Sequence, residues 1–329
     1  MLDEKRLSEI VKLYHGGKAN TRKTYTTSLL KIVNSYNTKY DTKVGNLSFL
    51  KKYDRIIEIL PSKVTTKRNY ITAILVVLRR KKRYEEVYNK YKKLIQQVNK
   101  DYDEWLKKHQ KTEEQRLNWV SWEKLNSVRL ELKQLVKDRR IIRKKELTNR
   151  EFGILQDLVI ASLYLLITPR RCEYANTKII KEVIFNKMEE EKRQENNWLV
   201  VQSRNRKYFY FTKENYKTGR LYGNKKVLIN KKLNSILNLW LRYNDEETKP
   251  DRWLLYGLKG CRMTSNNIVK HISRIFTITG RRISVNLIRH IYATEVSMKD
   301  INVEQVENII ERAKDMGHNA LRHIEYCKS

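Results

Sequence analysis

The sequence predicts a mainly α-helical protein of two domains, the second of which carries a small antiparallel β-sheet. The 329 residues include only three Pro and ten Gly, which leaves long stretches without helix breakers. Apolar residues repeat at helical spacing in several segments, whereas β-like segments cluster between residues 197 and 230. A chain of this length suits two domains better than one core.

The amino-terminal part predicts a bundle of amphipathic helices. Apolar side chains fall at i, i+3, i+4 and i+7 twice, at Leu29, Ile32, Val33 and Tyr36 and again at Ile71, Ile74, Leu75 and Leu78. We expect the second helix over 66–82, capped by Thr65 or Thr66 and ending in the cationic RRKKR.

The polar residues 84–118 predict one more helix and then a charged linker around HQKTEEQR. We place the domain boundary in that linker, which gives domains over 1–108 and 109–329. In the second domain, Ser121 predicts a helix start, and FGILQDLVIASLYLLIT predicts a buried helix that ends near Pro169. NWLVVQSRN, RKYFYFTK and KKVLIN predict the strands, with the turn-like NYKTGRLYGN before the last of them.

The charge of the chain predicts a polyanionic partner. Lys and Arg number 70 against 37 acidic residues, a formal net charge of +33. Nucleic acid is the first candidate and an anionic membrane surface the second. The sequence contains no run of about 18 apolar residues, so it predicts no membrane-spanning helix. Three scattered Cys predict neither a disulfide framework nor a metal site, and we expect an intracellular protein.

One Tyr near the carboxyl end raises a chemical question, because MGHNALRHIEY places Tyr326 eight residues after His318. A phenol, with a pKa of about 10, must lose its proton to attack a phosphodiester. The attack also requires fixed cations around the phosphate and a proton for the leaving oxygen. Arg suits the first task through its planar fork, and Lys or His suits the second.

Two segments in the middle of the chain resemble the tyrosine recombinases and integrases. ITPRRCEYANTKI resembles the family's first box, in which an Arg precedes an acidic residue by three positions, as Arg170 precedes Glu173. NYKTGRLYG resembles the β-hairpin that carries the family's Lys, which makes Lys217 the match.

Two segments nearer the carboxyl end complete the resemblance. VNLIRHIYATE resembles the second Arg box and matches it with Arg289, while MGHNALRHIEY resembles the closing box with His318 and the nucleophile Tyr326. The helices of the amino-terminal half resemble the family's core-binding domain. The resemblance thus covers most of the chain, and four boxes in the family's order are more specific than any one of them.

The resemblance implies a helical core-binding (SAM-like) domain followed by an α-rich tyrosine-recombinase catalytic domain, in a viral or mobile-element branch. It implies that Tyr326 attacks double-stranded DNA to form a 3′-phosphotyrosyl link and release a 5′-hydroxyl. Arg170, Arg289 and His318 would stabilise the transition state, and Lys217 would protonate the leaving oxygen. Four copies would work around two duplexes, with neither a metal nor another cofactor.

Asn286 stands where the family usually has a His three residues before the second Arg, and it is expected to contact phosphate without acting as an acid or base. The spacing to Glu173 favours Arg170 in the first box, whereas an ungapped match favours Arg171. His290 is expected to support its neighbour Arg289.

Cations at the end of the second predicted helix are expected to contact phosphates, which positions a protein without reading sequence. The predicted DNA-binding residues are Arg79, Arg80, Lys81 and Lys82 at this cationic end, together with Lys67 and Arg68, which are expected to enter a major groove from the start of the helix.

Two other functions fit the same residues. A type IB topoisomerase uses similar Arg, Lys, His and Tyr chemistry but rejoins the same strand. A DNA-binding protein whose catalytic residues have decayed would also be basic, and Asn286 favours that alternative.

Overall fold

The structure, a computed structural model, describes residues 2–17, 19–79, 81–108, 110–244, 252–257, 260–297, 303–317 and 326. The chain divides into two compact units, Met1–Lys108 and His109–Ser329. Among the described residues, no helix is both long and apolar enough to cross a membrane.

The first unit is a helical bundle, with helices α1 Glu4–Tyr14, α2 Ala19–Tyr40, α3 Tyr53–Ile57, α4 Val64–Leu78 and α5 Glu85–Lys107. The predicted apolar repeats of α2 and α4 face its core, and Tyr36 and Ile71 are almost fully buried. From α5, the Tyr91 hydroxyl donates to the carbonyl of Leu50 at 3.0 Å, which ties this long helix to the bundle.

Helix α4 differs from the prediction at both ends. It begins at Val64 after Lys63, which makes no side-chain cap, so the predicted caps Thr65 and Thr66 lie inside its first turn. It ends at Leu78 rather than at residue 82, because Arg79 leaves the helical conformation. Within the cationic segment, Lys82 and Arg83 lie in the 3₁₀-helix Lys82–Tyr84, which leads directly into α5.

The second unit is also mainly helical, with helices α6 Glu113–Asn118, α7 Trp122–Asp138, α8 Asn149–Leu165, α9 Glu182–Lys187, α10 Glu190–Gln194, α11 Gly219–Tyr222, α12 Lys231–Tyr243, α13 Ser265–Ile275, α14 Val285–Tyr292 and α15 Val303–Asp315. Ser121 caps α7 through a hydrogen bond from the Lys124 amide at 3.1 Å, as the sequence predicts. The apolar helix α8 lies at the centre of the core and packs beside α7, α12 and α13.

The predicted linker is partly helical. Thr112 and Gln115 form a capping box at the start of α6, in which each side chain binds the other residue's backbone amide. The Thr-x-x-Gln spacing in KTEEQR is the local signal for this helix.

The described strands form one mixed sheet in the order β1-β2-β3-β4, with β1 Thr177–Lys181, β2 Asn197–Val201, β3 Lys207–Phe211 and β4 Lys225–Leu228. The predicted strands β2, β3 and β4 pair antiparallel. The prediction of a wholly antiparallel sheet is wrong, because β1 pairs parallel with β2. A parallel pair requires a crossover, and α9 and α10 supply it.

Candidate active site

Arg289 lies at the centre of the candidate site. Ser284 caps the short helix α14, and the helix carries Arg289 into the core, where its side chain has no exposed surface. One guanidinium nitrogen donates to the Tyr326 hydroxyl at 2.9 Å and another to the carbonyl of Met316 at 2.9 Å. Burial lowers the pKa of Arg289, Tyr326 acts in the opposite direction, and the like charge of Arg171 lowers it further.

Arg170, far from Arg289 in the sequence, binds the backbone next to Met316. It is only 2 % exposed, and its guanidinium lies 4.0 Å from the ring centre of Phe211. Its Nη1 donates to the carbonyl of Asp315 at 2.5 Å. Since Asp315 and Met316 are consecutive, with Cα atoms about 3.8 Å apart, the two Arg boxes meet on one backbone turn.

Arg171 lies beside Gly317. Its side chain is half-buried, and the Nη1 atom is buried without a hydrogen-bond partner among the described residues. A Cβ added to Gly317 would lie 3.4 Å from this nitrogen. The like charges of Arg171 and Arg289 repel each other. A bound anion would relieve this repulsion.

Lys217 lies in the connection between β3 and β4, and its side chain is exposed. Its neighbour Thr218 donates from the hydroxyl to the carbonyl of Gly317. The connection that carries Lys217 therefore touches the turn on which Arg170 and Arg289 converge. The three carbonyls of residues 315–317, here called the carbonyl turn, each accept a hydrogen bond from a different segment.

Tyr326 is held by a second ring. His290 stacks on it with ring centroids 4.3 Å apart and an interplanar angle of 22°. The Nδ1 atom of His290 lies 2.8 Å from the Tyr326 carbonyl oxygen, and Asn286 lies 3.4 Å from Nε2. Sequence reasoning did not predict this contact between His290 and Tyr326, and the expectation that His290 supports Arg289 stays a prediction.

Glu173 lies in the 3₁₀-helix Glu173–Asn176 and is 7 % exposed. Its charge raises the pKa of Arg289, so it supports the cationic form of that residue. Burial, followed by this same carboxylate, raises the pKa of Cys172 to about 11. His318, the ring residue of the closing box, and Arg80 lie outside the described residues.

The predicted DNA contacts of the first unit divide into two groups. Arg68 lies 4.6 Å from the ring centre of Tyr102, and Lys81 lies 4.6 Å from that of Tyr14, so both cations are already placed over aromatic rings. Arg79 and Lys82 are exposed, and Lys67 is half-buried.

A polar groove between α2 and α4 was not predicted. It encloses a cavity of about 470 Å³, and its lining is polar or basic without an acidic residue: Asn20, Lys23, Thr24, Thr27, Ser28, Lys31, Thr66, Asn69 and Tyr70. The signal in the sequence is a polar stripe, since the α2 members recur at helical spacing on the face opposite the apolar repeat.

Within the described part of the chain, no cluster of three or more His, Cys, Asp or Glu could hold a metal ion. The groups that the described site does offer to a substrate are the phenol, the guanidinium groups and the neighbouring Lys.

Comparison with solved structures identifies the fold of the chain. No protein-family model and no curated protein matches the chain. The chain is similar to the solved structure of XerA recombinase, with 12 % identity over 99 % of this chain and 94 % of that chain and a TM-score of 0.41. It is also similar to the XerH site-specific recombinase bound to a palindromic difH substrate in a post-cleavage complex, with 14 % identity over 99 % of this chain and 81 % of that chain and a TM-score of 0.50. The likeness to the XerH structure shows that the chain has the fold of the tyrosine recombinases.

Proposed function

We propose that this protein is a site-specific DNA recombinase or integrase that cuts and rejoins strands through a 3′-phosphotyrosyl intermediate. The observation that carries the proposal is the contact between the buried Arg289 guanidinium and the Tyr326 hydroxyl at 2.9 Å. A buried cation beside a phenol oxygen can offset the negative charge that develops when that oxygen attacks a phosphate.

The Tyr326 phenol gives up its proton to solvent, its oxygen forms a bond to phosphorus, and the bond from phosphorus to the 5′-oxygen breaks. Lys217 gives a proton to that leaving oxygen, and Arg289 holds a non-bridging oxygen. His318 also stabilises the charged transition state, as the resemblance implies. A 5′-hydroxyl of another strand reverses the step, so the phosphodiester energy is conserved without a nucleotide cofactor.

We assign the first-box phosphate contact to Arg171 and a bracing role to Arg170. Arg170 already packs on Phe211 and binds the Asp315 carbonyl. Arg170 Nε and Arg171 Nη1 are both buried without a hydrogen-bond partner in the described region, but it is the charge of Arg171 that lowers the pKa of Arg289, a repulsion that a bound phosphate would relieve.

The first unit is proposed as the DNA-clasping, core-binding domain and the second as the catalytic domain. The acid-free groove between α2 and α4, with Lys23 and Lys31 on its wall, supports the first assignment. Replacing both Lys with Gln should flatten the slope of log K against log salt by about 0.9 for each phosphate that the variant no longer neutralises.

We further propose a homotetramer on two duplexes, serving a virus or mobile element.

The test is covalent trapping on nicked suicide duplexes tiled across the DNA that flanks the gene. Wild-type protein should give an adduct that survives denaturing electrophoresis, and Tyr326→Phe should give none while binding DNA as tightly as wild type. Arg171→Ala should reduce trapping more than Arg170→Lys, which keeps a cation for the Asp315 carbonyl.

The outcomes separate the alternatives. An undiminished adduct in Tyr326→Phe would place the nucleophile elsewhere. Tight binding without any wild-type adduct would favour a decayed DNA-binding protein, and relaxation of a supercoiled plasmid by monomers without strand exchange would favour a topoisomerase.

A further inference from the structure

The connection between β3 and β4, residues 212–224, is a tightly wound unit. A Cβ on Gly219 would lie 1.9 Å from the carbonyl oxygen of Lys213, so only Gly fits there. The Tyr216 hydroxyl donates to the Gly223 carbonyl and closes the wound segment. Lys217 lies between the residues that make these contacts, so they tie its backbone to the rest of the connection.

The connection and the strand residue that follows it are each attached to the carbonyl turn. Thr218 donates to the Gly317 carbonyl. Lys225, the first residue of β4, pairs with the Asp315 carboxylate at 2.8 Å, and both side chains are about three-quarters buried, at 25 % and 22 % exposure. Both attachments lie on the carboxyl side of Lys217 and join it to the turn that leads to the closing box.

The attachments matter because the carbonyl turn also receives Arg170 and Arg289. One short turn thus fixes the distance between the phosphate-binding guanidinium of Arg289 and the proton donor. A general acid acts only within hydrogen-bond reach of the leaving atom, so a shift of about 1 Å in the connection would remove it from the reaction.

We propose that Thr218 and the Lys225–Asp315 ion pair are positioning residues that hold Lys217 at the leaving 5′-oxygen. The assignment rests on the proposed function. None of the three touches the reacting atoms, so each acts through Lys217, and removal of any one should resemble a weakened form of the Lys217 defect itself.

The experiment compares two substrates that differ in one bridging atom. With an ordinary phosphodiester, the leaving 5′-oxygen must receive a proton from Lys217. With a bridging 5′-phosphorothiolate, sulfur leaves as a thiolate, which needs no proton because thiols have a pKa of about 8.5. Thr218→Val and Lys225→Met should therefore slow cleavage of the ordinary substrate about tenfold or more and that of the phosphorothiolate less than about threefold.

Matched variants set the scale. Lys217→Met should show the same selectivity with a larger defect. Lys226→Met removes the next lysine on β4, whose ammonium lies over the Tyr208 ring at 4.0 Å, and should leave both substrates unaffected. The double variant Lys225→Asp with Asp315→Lys should recover part of the rate on the ordinary substrate.

The results separate failure of this assignment from failure of the proposed function. Equal slowing of both substrates by Thr218→Val, or no slowing, overturns the assignment while wild-type cleavage still supports the enzyme. Absence of wild-type adduct on every duplex overturns the proposed function. In that case amide hydrogen exchange over 213–224 still tests each attachment with its own variant, Thr218→Val or Lys225→Met: faster exchange supports that attachment, and unchanged exchange refutes it.

Discussion

Replacing Gly317 with Ala should destabilise the second unit and slow DNA cleavage together. Gly317 has a φ of +74°, a left-handed conformation that costs an L side chain about 1–2 kcal/mol. The smaller entropy of the unfolded Ala chain raises stability by about 0.4–1 kcal/mol and offsets part of that. The added Cβ would also lie 2.7 Å from the Thr218 Oγ1, which must move and give up its hydrogen bond, a further cost of about 1 kcal/mol.

Gly280→Ala is the matched control, because Gly280 has a φ of +69° and open space where a Cβ would stand. Urea unfolding can compare the two variants by Trp fluorescence, since five of the six Trp lie in the second unit. Gly317→Ala should be less stable than Gly280→Ala by about 1 kcal/mol, and only Gly317→Ala should reduce covalent trapping. Equal stability and equal trapping in the two variants would refute the contact between Gly317 and Thr218.

Three further predictions concern single residues. Burial raises the pKa of Cys172 to about 11, so iodoacetamide at pH 8 should modify it at least about tenfold more slowly than added glutathione, and equal rates by mass spectrometry would contradict its burial. A hydrogen bond from Lys144 lowers the pKa of Glu151 from 4.5 to about 2, so its stabilisation is present above about pH 4.5 and is lost as the pH falls towards 2. The stability difference between wild type and Glu151→Gln should therefore shrink in urea melts over that range, and a constant difference would contradict the shift. His290→Phe keeps a ring against Tyr326 but removes the Nδ1 hydrogen bond, so trapping should fall about fivefold, and a wild-type rate would show that stacking alone suffices.

Local patterns in the sequence predicted the elements that depend on local interactions. The strands β2, β3 and β4 were correctly predicted from alternating and aromatic segments, and Ser121 was correctly predicted as a cap. Strand β1 was missed because it has only two apolar residues, between Lys178 and Lys181, and its partner becomes adjacent only through a crossover of two helices. The end of α4 was predicted too late because a cationic run resembles a helix end as much as a connection.

Contacts between distant segments could not be predicted from spacing. Nothing near Thr218 in the sequence indicates its bond to Gly317, 99 residues away, and nothing near Lys225 indicates Asp315. Whether Arg170 or Arg171 contacts the phosphate depends on which guanidinium packs in the core. Arg170 does so, against Phe211, which is distant in the sequence. The polar stripe of α2 was available in the sequence and was overlooked beside the more conspicuous charge run.

Peptide mapping of a trapped DNA adduct tests the central claim most directly. Trypsin cuts after Arg322 and Lys328, which leaves Tyr326 in the peptide HIEYCK. Mass spectrometry should find this peptide joined through the tyrosine oxygen to the 3′-phosphate of the cleaved strand. A nucleotide on any other residue, or a link to the 5′-phosphate, would contradict the account.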